Sequence, residues 1–109
     1  MDDHEPTSRK QTPLQLELLQ LLAAKPRARL RWYTRDKRRV RDYAGRAAVM
    51  DDEGWRGRHY RGGMIPGYTV QSLIRADLIA PATAEDARPF IEGGKPWREY
   101  TLNPRRPPP

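Results

Sequence analysis

The sequence predicts a small α+β domain, and three observations carry that expectation. A leucine-rich segment with helical spacing opens at Pro13. From Arg27 to Tyr33 the apolar period changes to two, the mark of a strand. Further on, an amphipathic segment from Ile65 is followed by an apolar Leu78-Ile79 step and by the alternating run Trp97-Arg98-Glu99-Tyr100-Thr101-Leu102. A length of 109 residues leaves room for one domain. Its expected limits are residues 12–103, between a disordered polar tail (1–11) and a Pro-rich tail (104–109) that cannot continue a helix or central strand.

The first helix is expected over residues 13–25. Thr12 can cap it, Pro13 sits at the first helical position where its missing N–H costs nothing, and Gln15 completes a capping box. Leu14, Leu18, Leu21 and Leu22 line one stripe, widened by Leu16 and Leu19, and Lys25-Pro26 stops the helix. In a chain with little other apolar surface this helix reads as the central core element, ahead of the alternative of a leucine-rich partner helix. The strand that follows places Ala28, Leu30 and Trp32 inward and Arg27, Arg29 and Arg31 outward. After the turn-like residues 34–38, the run from Val40 to Met50 has apolar residues at helical spacing but contains Gly45, and it ends at the turn signal Asp51-Asp52-Glu53-Gly54. A β-hairpin or irregular sheet is favoured there over a helix. Residues 55–63 mix arginine, aromatic residues and glycine and read as a loop. Residues 80–96 contain three prolines and Gly93-Gly94 and read as a long loop, within which residues 83–87 can make one turn.

Composition narrows the function classes. The net charge of +7 is concentrated in residues 25–62, where thirteen cations, eleven of them Arg, face five carboxylates. The planar guanidinium fork binds phosphate in a bidentate way, so the excess points to a polyanionic partner, with a solvated basic surface as the plain alternative. There is no Cys, which excludes disulfides and thiol ligands, and no apolar run reaches the roughly 18 residues of a membrane span. With no secretory signal at the N-terminus, a cytoplasmic protein is expected. Catalysis finds no candidate set: His4 and His59 stand apart from any nucleophile or carboxylate pattern. Asp51-Asp52-Glu53 lacks the spacing of a calcium loop and reads as a solvated turn, and Gly62-Gly63 lacks the Lys-Ser/Thr of a phosphate loop. No cofactor is therefore expected.

At helical spacing Val70, Leu73 and Ile74 face inward while Tyr68, Thr69, Gln71, Ser72 and Arg75 point outward, and nearly all of these outer side chains can bond base edges or phosphates. A short helix with that outer face, then a strand, a loop and a returning strand, resembles the recognition helix and wing of a winged helix-turn-helix DNA-binding domain. The resemblance covers residues 65–103 and the helix at 13–25. It implies a winged-helix-like domain with an Arg-rich hairpin or irregular insertion between the first helix and the recognition-like helix. The sequence departs from the family in lacking an evident helix just ahead of Met64 and a C-terminal dimerisation helix.

The function this implies is non-enzymatic binding of double-stranded DNA, as a transcriptional regulator or accessory factor of a bacterial or mobile-element system. Gln71 suits adenine and Arg75 guanine, while Thr69 and Ser72 suit phosphate or a thymine edge. The resemblance makes Lys95 and Arg98 the cations of the wing, with Arg88 also available. Trp97 and Tyr100 are expected to pack beneath it. Arg29, Arg31, Arg56, Arg58 and Arg61 extend the phosphate-binding surface if they flank the helix. Two alternatives stay open: a module or inhibitor that docks on an acidic protein or a nucleic-acid enzyme, and an RNA or single-strand binder in which Trp55, His59 and Tyr60 stack bases. Oligomeric state is not legible in the sequence.

Overall fold

The computed structural model describes residues 12–24, 27–51, 54–55, 64–89 and 94–105. The tails at 1–11 and 106–109 and the segment 56–63 lie outside the described residues, as do Lys25 and Pro26. In chain order the elements are helix α1 (Pro13–Ala24), strands β1 (Arg29–Tyr33), β2 (Ala47–Asp51) and β3 (Gly54–Trp55), helix α2 (Gly67–Arg75), strand β4 (Ile79–Pro81), a 3-10 turn (Glu85–Ala87) and strand β5 (Trp97–Leu102). The strands form one antiparallel sheet in the order β3-β2-β1-β5-β4, with the two-residue β3 at one edge. Among the described residues no helix is long and apolar enough to cross a membrane.

α1 starts through a reciprocal cap. The Thr12 N–H donates to Gln15 Oε1 (3.0 Å) and the Gln15 N–H to Thr12 Oγ1 (3.1 Å), which satisfies donors that the first turn leaves without intrahelical partners. Leu18, Leu19 and Leu22 are buried, and Leu14 and Leu21 pack at their margin. The stripe is thus centred between Leu18 and Leu22, and Leu16, expected to widen it, is exposed instead. α2 contributes Val70 and Leu73 to the same core, and the inward side of the sheet contributes Leu30, Ala47, Val49 and Ile79. Each fully buried aliphatic side chain of this kind contributes about 1.5–3 kcal/mol.

Between β1 and β2 the chain makes no helix. Residues 34–46 form a compact loop, closed by Gly45 N–H donating to the Thr34 carbonyl (2.9 Å) and anchored by the buried Val40. Of the hairpin or irregular sheet expected over residues 40–50, only the part from Ala47 is strand: β2 pairs with β1 from Arg29↔Met50 to Trp32↔Ala47, and β3 pairs back through Asp51↔Gly54. An isolated bridge, Ala47↔Ile65, then leads the chain into α2. α2 ends in a Schellman turn, with Leu78 N–H on the Leu73 carbonyl and Asp77 N–H on that of Ile74, and with Asp77 in the left-handed region (φ 62°). The buried Asn103 holds this turn by donating to both the backbone carbonyl and Oδ1 of Asp77.

Candidate nucleic-acid interface

α2 sits against α1 and the inner face of the sheet. Thr69, Val70 and Leu73 are its buried residues, Tyr68 is 73 % exposed and Arg75 is exposed, and Gln71 is half-buried between them. At about 100° per residue, Tyr68, Gln71 and Arg75 share one outward edge. Thr69 corrects the expectation: it lies on the core side, because the buried arc runs through Thr69, Val70 and Leu73. Ser72 is drawn toward α1. Its hydroxyl donates to the Thr69 carbonyl (2.8 Å) and accepts from Gln15 Nε2 (2.6 Å), so the side chain that caps α1 also ties it to α2.

The start of α2 touches the 34–46 loop. A Cβ built on Gly67 would lie 2.5 Å from the Gly45 carbonyl oxygen and 3.2 Å from Trp32 Nε1, and Trp32 Nε1 itself donates to that oxygen (3.1 Å). Gly45 has φ +75°, a conformation that side chains disfavour, and its open side is occupied by Arg35 Cγ. These two glycines let the loop and the helix meet backbone to backbone. The loop carries Arg35, Lys37, Arg38, Arg41 and Arg46, all exposed, against Asp36 and Asp42. Arg38 is paired with Asp36 (3.1 Å), and this contact together with the Arg38 N–H holds the Asp36 carboxyl below its ordinary value.

The arginines of β1 are engaged on the outer face of the sheet, the side away from the helices. Arg31 donates to Glu99 (2.9 Å) and lies over the Trp97 ring, 4.3 Å from its centroid. Burial disfavours the charge of Arg31, but the Tyr33 hydroxyl and Glu99 more than offset it, so its pKa is raised. Arg29, about half exposed, reaches the same Glu99 at 4.0 Å.

The β4–β5 loop is the largest departure from expectation. Arg98, read as a wing cation, is 3 % exposed, and its guanidinium donates to the carbonyls of Arg88 (2.8 Å), Pro89 (2.6 Å) and Trp97 (2.9 Å). The register explains it: Trp32↔Arg98 and Leu30↔Tyr100 put Arg98 and Tyr100 on the inner side of β5, and Tyr33↔Trp97 puts Trp97 on the outer side. Trp97 and Tyr100 therefore do not pack together beneath a wing, because residues three apart on a strand face opposite ways. Asp86, 2 % exposed, takes the place of a strand residue beyond Pro81. It accepts from the Glu99 N–H (3.0 Å) and the Thr83 hydroxyl (2.7 Å), with Lys95 Nζ at 3.8 Å. Burial pushes its carboxyl up, but these donors hold it below its ordinary value. Lys95 also reaches Glu85 (3.4 Å). Arg88 is exposed.

Arg56, Arg58 and Arg61, and the stacking candidates His59 and Tyr60, lie outside the described residues, and Trp55 is described in its backbone alone. The loop that meets α2 at Gly67 carries cations that the sequence counts in its basic excess but does not place near α2, its residues 34–38 reading as a turn and the run from Val40 to Met50 as hairpin or irregular sheet. The available signal was their density together with Gly45, which marks a point of backbone contact. Among the described residues no group of three or more His, Asp or Glu is placed to hold a metal. The chain matches no family model, and no curated protein or solved structure is found to be similar to it.

Proposed function

We propose that this protein binds double-stranded DNA without catalysing a reaction, with the outward edge of α2 as its reading head, and that it acts as a regulator or accessory factor in a bacterial or mobile-element system. The observation that carries the reading is the contact between Gly45 and Gly67. It sets an edge bearing Tyr68, Gln71 and Arg75 beside a loop rich in exposed arginine. Gln and Arg are the side chains that bond adenine and guanine in a bidentate way, and cations at the flank suit the phosphates on either side of a groove. The order β1-β5-β4, with α2 leading into β4, is also compatible with the winged-helix resemblance, in which β2 and β3 would stand where that family has a helix.

Selection of a preferred duplex from a random pool, followed by titration of Gln71→Ala and Arg75→Ala, tests the reading. Each variant is expected to lose about 1–3 kcal/mol of discrimination between the preferred and a scrambled duplex while keeping most non-specific affinity. If both variants rank duplexes as the parent does, α2 is not a reading head.

A further inference from the structure

Both helices pack on the inner side of the sheet, and the outer side carries an aromatic cluster that the proposed reading head does not use. Tyr33 of β1 packs against Tyr43 of the 34–46 loop, ring centroids 4.4 Å apart, and edge-on against Trp97 of β5 at 6.0 Å. Tyr43 is 39 % exposed. Beside these rings lies a pocket of about 190 Å³, lined by Tyr33, Tyr43, Ala48, Met50 and Met64. Ala48 makes the room: on the outer face of β2 it stands opposite Arg31, and its single methyl leaves a gap beside Met50. We propose that this pocket seats a base of single-stranded DNA.

Three features select that occupant. The pocket is smaller than the roughly 300–1,000 Å³ of sites that enclose a free small molecule, so it suits one flat ring system presented from a chain. Its walls are aromatic and thioether groups, which stack on any base face and make a base more favourable there than in water. Its border is cationic: Tyr43 lies within the stretch that carries Arg35, Lys37, Arg38, Arg41 and Arg46, with Asp36 already paired to Arg38 and Asp42 the remaining carboxylate. On the sheet itself Glu99 is matched by Arg31 and Arg29. Cations therefore outnumber carboxylates in the stretch around Tyr43, which suits a phosphate backbone. The commitment to DNA rests on the duplex reading proposed above, since the same loop touches α2 at Gly67.

The test uses the full chain at low salt with four labelled probes: oligothymidylate, an abasic sugar-phosphate oligomer of equal length, oligouridylate and a mixed-sequence duplex. Oligothymidylate should bind more tightly than the abasic oligomer. Tyr43→Ala should weaken oligothymidylate binding by about 5- to 150-fold, the loss expected of one stacked base, and weaken duplex binding much less. Tyr43→Phe, which keeps the ring, should bind as the parent does. Ala48→Met, which fills the slot from its floor, should act like Tyr43→Ala. Because Ala48 is buried, its melting temperature is checked first, and if that variant unfolds the exposed Tyr43 decides alone. Gln71→Ala with Arg75→Ala should leave oligothymidylate binding intact, so failure of this site and failure of the duplex reading are separable. Equal affinity for the abasic oligomer, or no effect of Tyr43→Ala, would overturn the proposal. Tighter binding of oligouridylate than oligothymidylate would overturn its commitment to DNA.

Discussion

The outward edge of α2 and the β4–β5 loop carry cations of the same kind and put them to opposite ends. Arg75 extends from the last turn of a helix whose buried arc ends well short of it, and it is exposed. Arg98 extends from a strand position that alternation directs into the protein, and its donors are consumed by backbone carbonyls that the loop folds around it. Whether an arginine stays exposed or is taken up by the fold is decided here by the parity of its position and by which carbonyls lie within reach. Charge alone does not separate the two.

The contrast is broken most directly by removing each cation in turn. Arg98→Ala strands buried carbonyl oxygens and should lower stability by about 2–4 kcal/mol, whereas Arg75→Ala should change it by less than about 0.5 kcal/mol. Urea midpoints for the two variants measure this. A near-native midpoint for Arg98→Ala would return that residue to the list of ligand contacts.

Asp86 sharpens the same comparison through pH. Its carboxyl titrates below its ordinary value of 3.8 in the folded chain, so its contribution is present above about pH 4 and is lost as the pH falls through the folded value. Asp86→Asn should cost about 1–2 kcal/mol near neutrality, and the gap to the parent should close on acidification below pH 4. A gap independent of pH would mean that the Asp86 charge does not hold the loop.

The smallest effect concerns salt. Arg41, exposed on the 34–46 loop, should reduce the log–log salt slope of duplex binding by up to about one when replaced by Ala. Arg31→Ala should leave that slope unaltered, since its guanidinium already serves Glu99 and Trp97. Equal slopes for the two variants would remove the loop from the proposed interface.

Much of the fold was legible because local chemistry settles it. Thr12, Pro13 and Gln15 mark the start of α1 unambiguously, the alternation around Leu30 identifies β1, and Gly45 followed by an acidic turn argues for sheet over helix in residues 40–50. The candidate site was legible only where one element suffices: the apolar spacing of Val70 and Leu73 leaves Gln71 and Arg75 outward whatever packs beneath. Thr69 failed because its hydroxyl reads as outward while its place on the helix is inward. Arg98 failed because an inward arginine on a strand becomes tenable only once carbonyls from residues nine and ten positions earlier arrive beside it, a long-range event that spacing does not encode. The cations of residues 34–46 were visible as residues but not as neighbours of α2, since the contact that joins them runs from Gly45 to Gly67.

That contact has a mechanical meaning. With no side chain between them, the Gly45 carbonyl and the start of α2 come so close that even a methyl group at position 67 would collide with that oxygen. The loop is held to the domain by its own contacts, the Gly45 N–H on the Thr34 carbonyl and the buried Val40. A bulkier residue at position 67 would act as a shim between helix and loop, and would change the distance between the outward edge of α2 and the cations of residues 34–46 without removing a single charge.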